Sequence, residues 1–419
     1  MRRFDAPITA WAALLSAATL VSGTGVRAQA SSVTPPQSQA NKIDIEVIAD
    51  LIYDSNIAHS GAFLAQRRGI LPSDESFRPS VSVNLGHRLG RQTLFLQGSL
   101  GYDFNRRNHI LNRERIDLHP GVLLNIGRCG GSFAADYGRH QTDLANLALV
   151  NHVPELNIVK NAEDTEKLEG SATCGSGVGL APTFDVYETW THNSSSRLKF
   201  AASRSFSATA GLAYRQPVLG RVNLFGNFVR TDFPNRPVIG FGADLVDGYD
   251  IYSGGLSFDR HIGARLDATV SMNYTSLKPR IPTSPGFKGF AYSANATYQF
   301  DPRLEVQFTL SRATLPSSRV GATFSVNNTL SGEFDYRVSP RLTLKVGGSH
   351  VHRSYPGALG TVIDDLTKET VNSEFGDATY RLNRRVSLGL NVTHVLRDAN
   401  FSQLSYTGNR VAFSVRSAF

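Results

Sequence analysis

Residues 265–274, RLDATVSMNY, and 290–300, FAYSANATYQF, decide the fold. In the first, Leu266, Ala268, Val270, Met272 and Tyr274 alternate with Arg265, Asp267, Thr269, Ser271 and Asn273. In the second, Phe290, Tyr292, Ala294, Ala296, Tyr298 and Phe300 alternate with Ser293, Asn295, Thr297 and Gln299. Period-two alternation sends the two sets to opposite faces of a strand. One face is apolar, and the other is too polar for the core of a soluble sandwich. These runs also exceed the roughly five or six residues usual for soluble strands and suit a membrane crossing. Leu94, Leu96, Gly98, Leu100 and Tyr102 repeat the pattern against Thr93, Gln97, Ser99, Gly101 and Asp103. Aromatic pairs stand toward strand ends, at Tyr102 and Phe104, Phe290 and Tyr292, Tyr298 and Phe300, Phe334 and Tyr336. An interfacial girdle has this placement.

Working outward, the alternation recurs from Ile43 to Phe419, and its interruptions are of two kinds. Tight turns read Leu89-Gly90-Arg91, Gly127-Arg128, Leu219-Gly220-Arg221, Gly263-Ala264-Arg265, Asp301-Pro302-Arg303, Ser339-Pro340-Arg341 and Asn383-Arg384-Arg385, with Leu180-Ala181-Pro182 in the same slot without the Arg. Gly and Pro permit or preset the turn angles, while Asp, Ser and Asn hydrogen-bond locally. Between them lie longer polar links at Asp54–Phe77, His140–Thr165, Pro234–Asp247 and Pro356–Lys368. Short turns at one end and long loops at the other are the pattern of outer-membrane barrels.

The reading is therefore all-β: a transmembrane antiparallel up-and-down β-barrel of about 18 strands, with short periplasmic turns, long extracellular loops and both termini periplasmic. The expected strands are 43–53, 78–89, 91–104, 113–126, 129–142, 165–178, 182–193, 197–215, 220–232, 248–260, 264–276, 288–300, 303–313, 322–338, 341–354, 368–382, 385–398 and 403–419.

Ahead of the barrel, residues 1–30 read as a secretory signal: Arg2 and Arg3, an apolar run from Ile8 to Val21, and the small-residue site Ala28-Gln29-Ala30. Residues 31–42 are rich in Ser, Pro and Gln and read as a flexible periplasmic tail, leaving 43–419 for the barrel. Beyond the N-terminus no apolar run approaches the ~18 residues of a spanning helix, which excludes a helical membrane protein.

The net charge of +8 is spread as scattered Arg residues with no basic helix face, so nucleic acid is not an expected partner. The Arg residues of the turns have two roles open to them, a collar for polyanions or contacts with lipid phosphates. Inward parity collects Asp44, Glu46, Asp50, Arg115, Asp117, Lys199, Asp267, Glu305, Glu333, Asp335 and Lys345 as candidate pore-lining residues. They either tune passage or satisfy one another across the lumen. Cys129 and Cys174 fall opposite each other if the intervening hairpin centres near residue 151, which makes a disulfide the expectation and two free thiols the alternative of a slipped register. No Gly-x-Ser-x-Gly elbow or His-Glu-x-x-His motif occurs, and His140, His152, His192, His350 and His352 are dispersed. No catalytic residue, metal site or cofactor is expected. Leu144, Leu147 and Ala148 stand at helical spacing in the longest loop, which either folds inward as a constriction or stays at the surface.

The last strand ends Val411, Phe413, Val415 and Phe419, similar to the C-terminal signal read by the barrel-assembly machinery, with Ser417 departing from it. The segments Tyr53-Asp54-Ser55-Asn56-Ile57 and Gly127-Arg128-Cys129-Gly130-Gly131, with the Pro-Arg turns, resemble those of a porin-like outer-membrane β-barrel family associated with exopolysaccharide and capsular polysaccharide biosynthesis clusters. That resemblance implies a channel or accessory component for polymer export, with polysaccharide cargo and periplasmic secretion components as partners alongside outer-membrane lipid and lipopolysaccharide. A general diffusion porin and a structural or adhesive barrel without transport are the competing expectations.

Overall fold

A computed structural model describes residues 41–147, 159–175, 177–236, 246–282, 284–317, 324–356 and 366–419. The signal segment, almost all of the tail, and Ala148 and His152 lie outside the described residues. In chain order the strands are β1 (Lys42–Asp54), β2 (Asp74–Leu89), β3 (Gln92–Asn105), β4 (Arg113–Ile126), β5 (Cys129–Gln141), β6 (Ala162–Cys174), β7 (Gly179–Asn193), β8 (Ser203–Gln216) and β9 (Gly220–Phe233). They continue as β10 (Asp247–Ile262), β11 (Leu266–Pro279), β12 (Phe287–Gln299), β13 (Leu304–Pro316), β14 (Phe324–Arg337), β15 (Leu342–Ser354), β16 (Lys368–Arg381), β17 (Val386–Ala399) and β18 (Tyr406–Ala418). Every strand pairs antiparallel with its sequence neighbours, and β1 pairs with β18, closing one 18-stranded barrel. Closure removes the sheet edges, as a membrane interior demands.

The two faces separate as the alternation requires. Ile43, Leu100, Phe184, Leu256, Phe290 and Phe334 are all at least half exposed on the outside. The partner parity carries Ser, Thr, Asn and charged residues into the lumen. On the outer face the aromatics gather in neighbouring groups, with Tyr274 edge-on to Phe290 and Tyr298 edge-on to Phe300 near opposite ends of the same wall. At the short-turn end Gly90 and Gly127 have φ of 61° and 62°, the left-handed region that glycine enters without steric cost.

The structure corrects the sequence reading at two connections. The turn between β6 and β7 is not Leu180-Ala181-Pro182. β6 already ends at Cys174, Gly175 and Gly179 have φ of 152° and 94°, and Leu180 is 61% exposed on the outer face of β7. Pro182 lies one residue past the last β6–β7 pair, Thr173–Thr183, an edge position that proline tolerates. β8 begins at Ser203 and not at 197, because Ser196–Ala201 is a 3-10 turn that buries Leu198. Lys199 sits in that turn, exposed at the long-loop mouth, and is not a wall residue.

Candidate functional site

The candidate site is the lumen. Ten of the expected lining residues lie on its parity: Asp44, Glu46 and Asp50 on β1, Arg115 and Asp117 on β4, Asp267 on β11, Glu305 on β13, Glu333 and Asp335 on β14, and Lys345 on β15. Six of these ten, with neighbouring residues, fall in two sectors. Toward the short turns, Glu305 faces Asp335, Asp335 faces Lys345, and Lys345 faces Asp377 on consecutive strands. Lys345 Nζ bridges Glu333 at 2.8 Å and Asp335 at 3.2 Å. One cation shared by carboxylates leaves this sector net acidic. Toward the loops, Arg78, Arg113, Arg115 and Arg410 surround Asp50, Asp54 and Asp103. Arg78 Nε and Arg115 Nη1 both approach Asp103 Oδ1, at 3.6 and 3.4 Å. Arg113 Nε and Nη2 have no acceptor among the described residues, so this sector offers surplus donors.

The long-loop mouth is narrowed from two sides. On one, Ala58, Ile70, Leu111, Leu144, Val159 and Leu198 pack into one apolar cluster. They come from four different connections, so loops that are local in sequence are mutually buried. The described part of the longest loop folds inward: its helix α1 (Leu144–Leu147) is tied to the wall by Arg397 of β17, whose Nη1 donates to Ala145 O at 3.1 Å. Arg397 also donates through Nε to Glu369 Oε2 at 2.8 Å and through Nη2 to the same oxygen. Arg353 Nη1 and Tyr355 Oη reach Glu369 Oε1 at 2.7 and 3.0 Å. The Glu369 side chain is 1% exposed and that of Arg397 3%, so this is a buried charge network with every carboxylate lone-pair direction occupied. Burial pushes the Tyr355 hydroxyl up to about 12, which keeps it a donor.

A second tie holds the same loop. His59 Nδ1 and Asp143 Oδ1 are 3.1 Å apart, and the His59 ring stacks on Tyr406. Burial pulls the imidazole pKa down, but the hydrogen bond and charge of Asp143, with Asp54 behind it, outweigh burial and raise it above its ordinary value. Burial raises the Asp143 carboxyl, and the His59 bond outweighs it in the other direction. The His59 contribution is complete below the unfolded histidine value and is lost as pH climbs through the raised one. The Asp143 contribution is complete above the unfolded carboxyl value and is lost only well into acid. The tie therefore holds below the raised histidine value and loosens on its alkaline side. Single-channel noise and conductance are expected to increase as pH rises above the ordinary histidine value and through the raised one, and His59→Gln is expected to flatten that profile. A profile unchanged by His59→Gln assigns the pH response elsewhere.

On the other side of the mouth, the upper part of the β13–β14 hairpin curls into the lumen. Phe324 and Val326 share the parity of lipid-facing Leu330 and Phe334, yet they are 0% and 3% exposed. They pack among Val229, Tyr249, Ile251 and Leu277 on the lumen side, with the Phe324 ring 5.7 Å from Phe287. Buried Arg236 secures the curl, donating to Asp247 Oδ2 at 3.2 Å and to Ser317 O at 3.1 Å. Sequence reading missed His59, Asp143, Arg236, Arg353, Glu369 and Arg397. The available signal was parity, which places Arg353, Glu369 and Arg397 inward at the loop ends of three consecutive strands.

At the opposite rim Cys129 and Cys174 are register partners on the outer face, joined with S–S 2.11 Å. Phe413, Val415 and Phe419 are exposed on the outside of the barrel, with Phe419 N donating to Ile45 O at 2.9 Å. The outward His350 and His394 each bond a neighbouring strand's asparagine, Asn372 and Asn409.

Residues 246–419, spanning β10 to β18, match a family model described as "Putative beta-barrel porin 2". Similar solved structures include the Pseudomonas aeruginosa protein OccK2 (OpdF) in complex with glucuronate, at 11% identity, covering 91% of this chain and 100% of that one with a TM-score of 0.48. Another is OccK11 (OpdR) of the same organism, at 15% identity over 90% of this chain and 96% of that one, TM-score 0.46. The siderophore receptor PirA of Acinetobacter baumannii is 9% identical over 91% of this chain and 81% of its own, TM-score 0.48. No curated protein matches the chain. The chain is thus a closed 18-stranded antiparallel β-barrel with an apolar outer face, porin-like in fold, and residues 246–419, fewer than half of it, are similar to that porin family.

Proposed function

We propose that the protein is a passive channel for small hydrophilic solutes, oriented with its short turns and both barrel termini in the periplasm and its long loops outside. The observation that carries this reading is the lumen itself: a polar interior with an acidic sector and an arginine-rich sector, narrowed at one mouth by folded-in loops. A lumen built this way filters by size and charge, and the reading gives the chain no enzymatic step. Outer-membrane lipid and the barrel-assembly machinery are its expected partners. Reconstitution in planar bilayers is expected to give discrete conductance steps, and Glu305→Gln with Asp335→Asn is expected to shift the reversal potential toward anion preference. Absence of steps would favour the structural or adhesive barrel.

Export of an extracellular polysaccharide is the finer reading that the sequence resemblance supplies. The segments behind that resemblance have architectural roles. Asp54 Oδ1 accepts Asn56 N at 2.8 Å, Asn56 Nδ2 donates to Ser60 O and Thr407 O, and Ser55 N donates to Asn409 O, so Tyr53–Ile57 finishes the β1–β18 closure. The cargo claim therefore stands on surface polymer in a strain lacking the gene: lost polymer supports export, and normal polymer leaves the diffusion channel.

A further inference from the structure

The β12–β13 seam is, among the described residues, the place at the long-loop end where both neighbouring strands run on unpaired for four or more residues. Its ladder stops at Tyr292–Arg312, although β12 stays paired to β11 as far as Phe287 and β13 to β14 as far as Pro316. A continued register would set Ala291 against Ala313. The inward curl of the β13–β14 corner accounts for the opening, since it carries Phe324 away from the wall and onto Phe287. Unpaired backbone is expensive in hydrocarbon, so such a gap belongs at the membrane interface. The exposed outer aromatics Tyr252, Tyr274 and Phe290 flank it and mark that level.

Beside the gap, at the β11–β12 end, lies a cavity of about 400 Å³, within the size range of small-molecule sites. Leu277, Ile281, Pro282 and Phe287 give it an apolar wall, and Lys278 and Lys288 stand at it. Both lysines are on the lipid-facing parity and neither forms an ion pair among the described residues, since Asp250, which faces Lys278 in the register, is held by Arg230 at 2.9 Å. Lys278 Nζ lies 5.5 Å over the Tyr252 ring. An apolar chain gains little by leaving lipid for an apolar pocket, so selectivity must come from the charged end, which here is cationic.

We infer that the β12–β13 seam is a lateral port through which an anionic amphiphile enters from the leaflet at the long-loop end. Its chain lies against Leu277, Ile281 and Phe287, and its anionic group sits between Lys278 and Lys288. The test is tryptophan quenching by brominated-chain lipids in vesicles, in a Trp11→Phe/Trp190→Phe background, with folding checked by heat-modifiable gel mobility. Phe287→Trp is expected to be quenched comparably with lipid-facing Phe290→Trp and well above lumen-facing Phe95→Trp, more strongly by anionic than by zwitterionic brominated lipid. Lys278→Gln/Lys288→Gln is expected to reduce that preference by on the order of tenfold, as two cations at a membrane surface imply. Oxidised Ala291→Cys/Ala313→Cys is expected to abolish the Phe287→Trp signal. Quenching no greater than that of Phe95→Trp, or quenching that survives the crosslink, overturns the port. Equal quenching by both lipids overturns the anionic seat. Leu277→Trp reads out the same cavity if Phe287→Trp does not fold.

Discussion

Arg397→Ala is expected to free the longest loop from the barrel wall and to raise single-channel conductance while leaving the strand content intact. The side chain holds two partners that nothing else in its place serves, Glu369 Oε2 and the Ala145 carbonyl. Removing one member of a buried ion pair costs roughly 3–5 kcal/mol, because the remaining charge is left under-compensated. Arg353 and Tyr355 still serve the other Glu369 oxygen, which places the expected loss near the lower end, about 3 kcal/mol. A deficit of that size shifts a local open-closed equilibrium by about two orders of magnitude, enough to turn a held loop into a mostly released one. Arg397→Lys keeps the charge but replaces a planar fork by a single ammonium, and is expected to fall between the two. Conductance in bilayers together with protease sensitivity around residue 145 measures the release. Wild-type conductance in Arg397→Ala would locate the constriction at the inward β13–β14 curl.

Much of the barrel was legible because each strand meets two environments. Leu266 to Tyr274 have to face lipid and Arg265 to Asn273 have to face water, and a one-residue slip would reverse both. That constraint fixes parity from composition alone, which is why Glu305, Asp335 and Lys345 could be set inward without knowing their neighbours. The signal fails where one environment is lost. At residues 197–202 the chain leaves the wall, Leu198 turns into the loop cluster, and parity no longer says where Lys199 points. At Leu180-Ala181-Pro182 a proline imitates a turn while lying on an edge. The mouth was illegible for a different reason: Arg397 and Ala145 are 252 residues apart, and the contact depends on how loops from distant strands fill a shared space. Phe324 and Val326 keep a lipid-facing pattern while being buried, because the hairpin itself bends; periodicity describes the strand and not its path.

Loss of the Cys129–Cys174 bond is expected to lower resistance to urea unfolding from lipid vesicles without changing the channel. The two residues form the last register pair of the β5–β6 hairpin, so the bond closes the base of the loop that carries α1. Its sequence separation is 45. In the chain-entropy model, a closed loop of that length restricts the unfolded chain by about 4 kcal/mol. Thirteen register pairs already align the two strands in the folded barrel, so the bond adds little to the native wall and its effect falls on the unfolded side. Cys129→Ser/Cys174→Ser should therefore unfold at lower urea with a steeper slope, since the unfolded chain released from the crosslink exposes more surface. Its conductance should match wild type, because both sulfurs lie on the outer face at the end remote from Arg397 and the loop clusters. Non-reducing peptide mapping is expected to recover the two cysteines as one linked pair. Two alkylatable thiols from unreduced protein would remove the bond and the stability difference together, and an altered conductance in the double serine variant would show that the hairpin base influences the mouth.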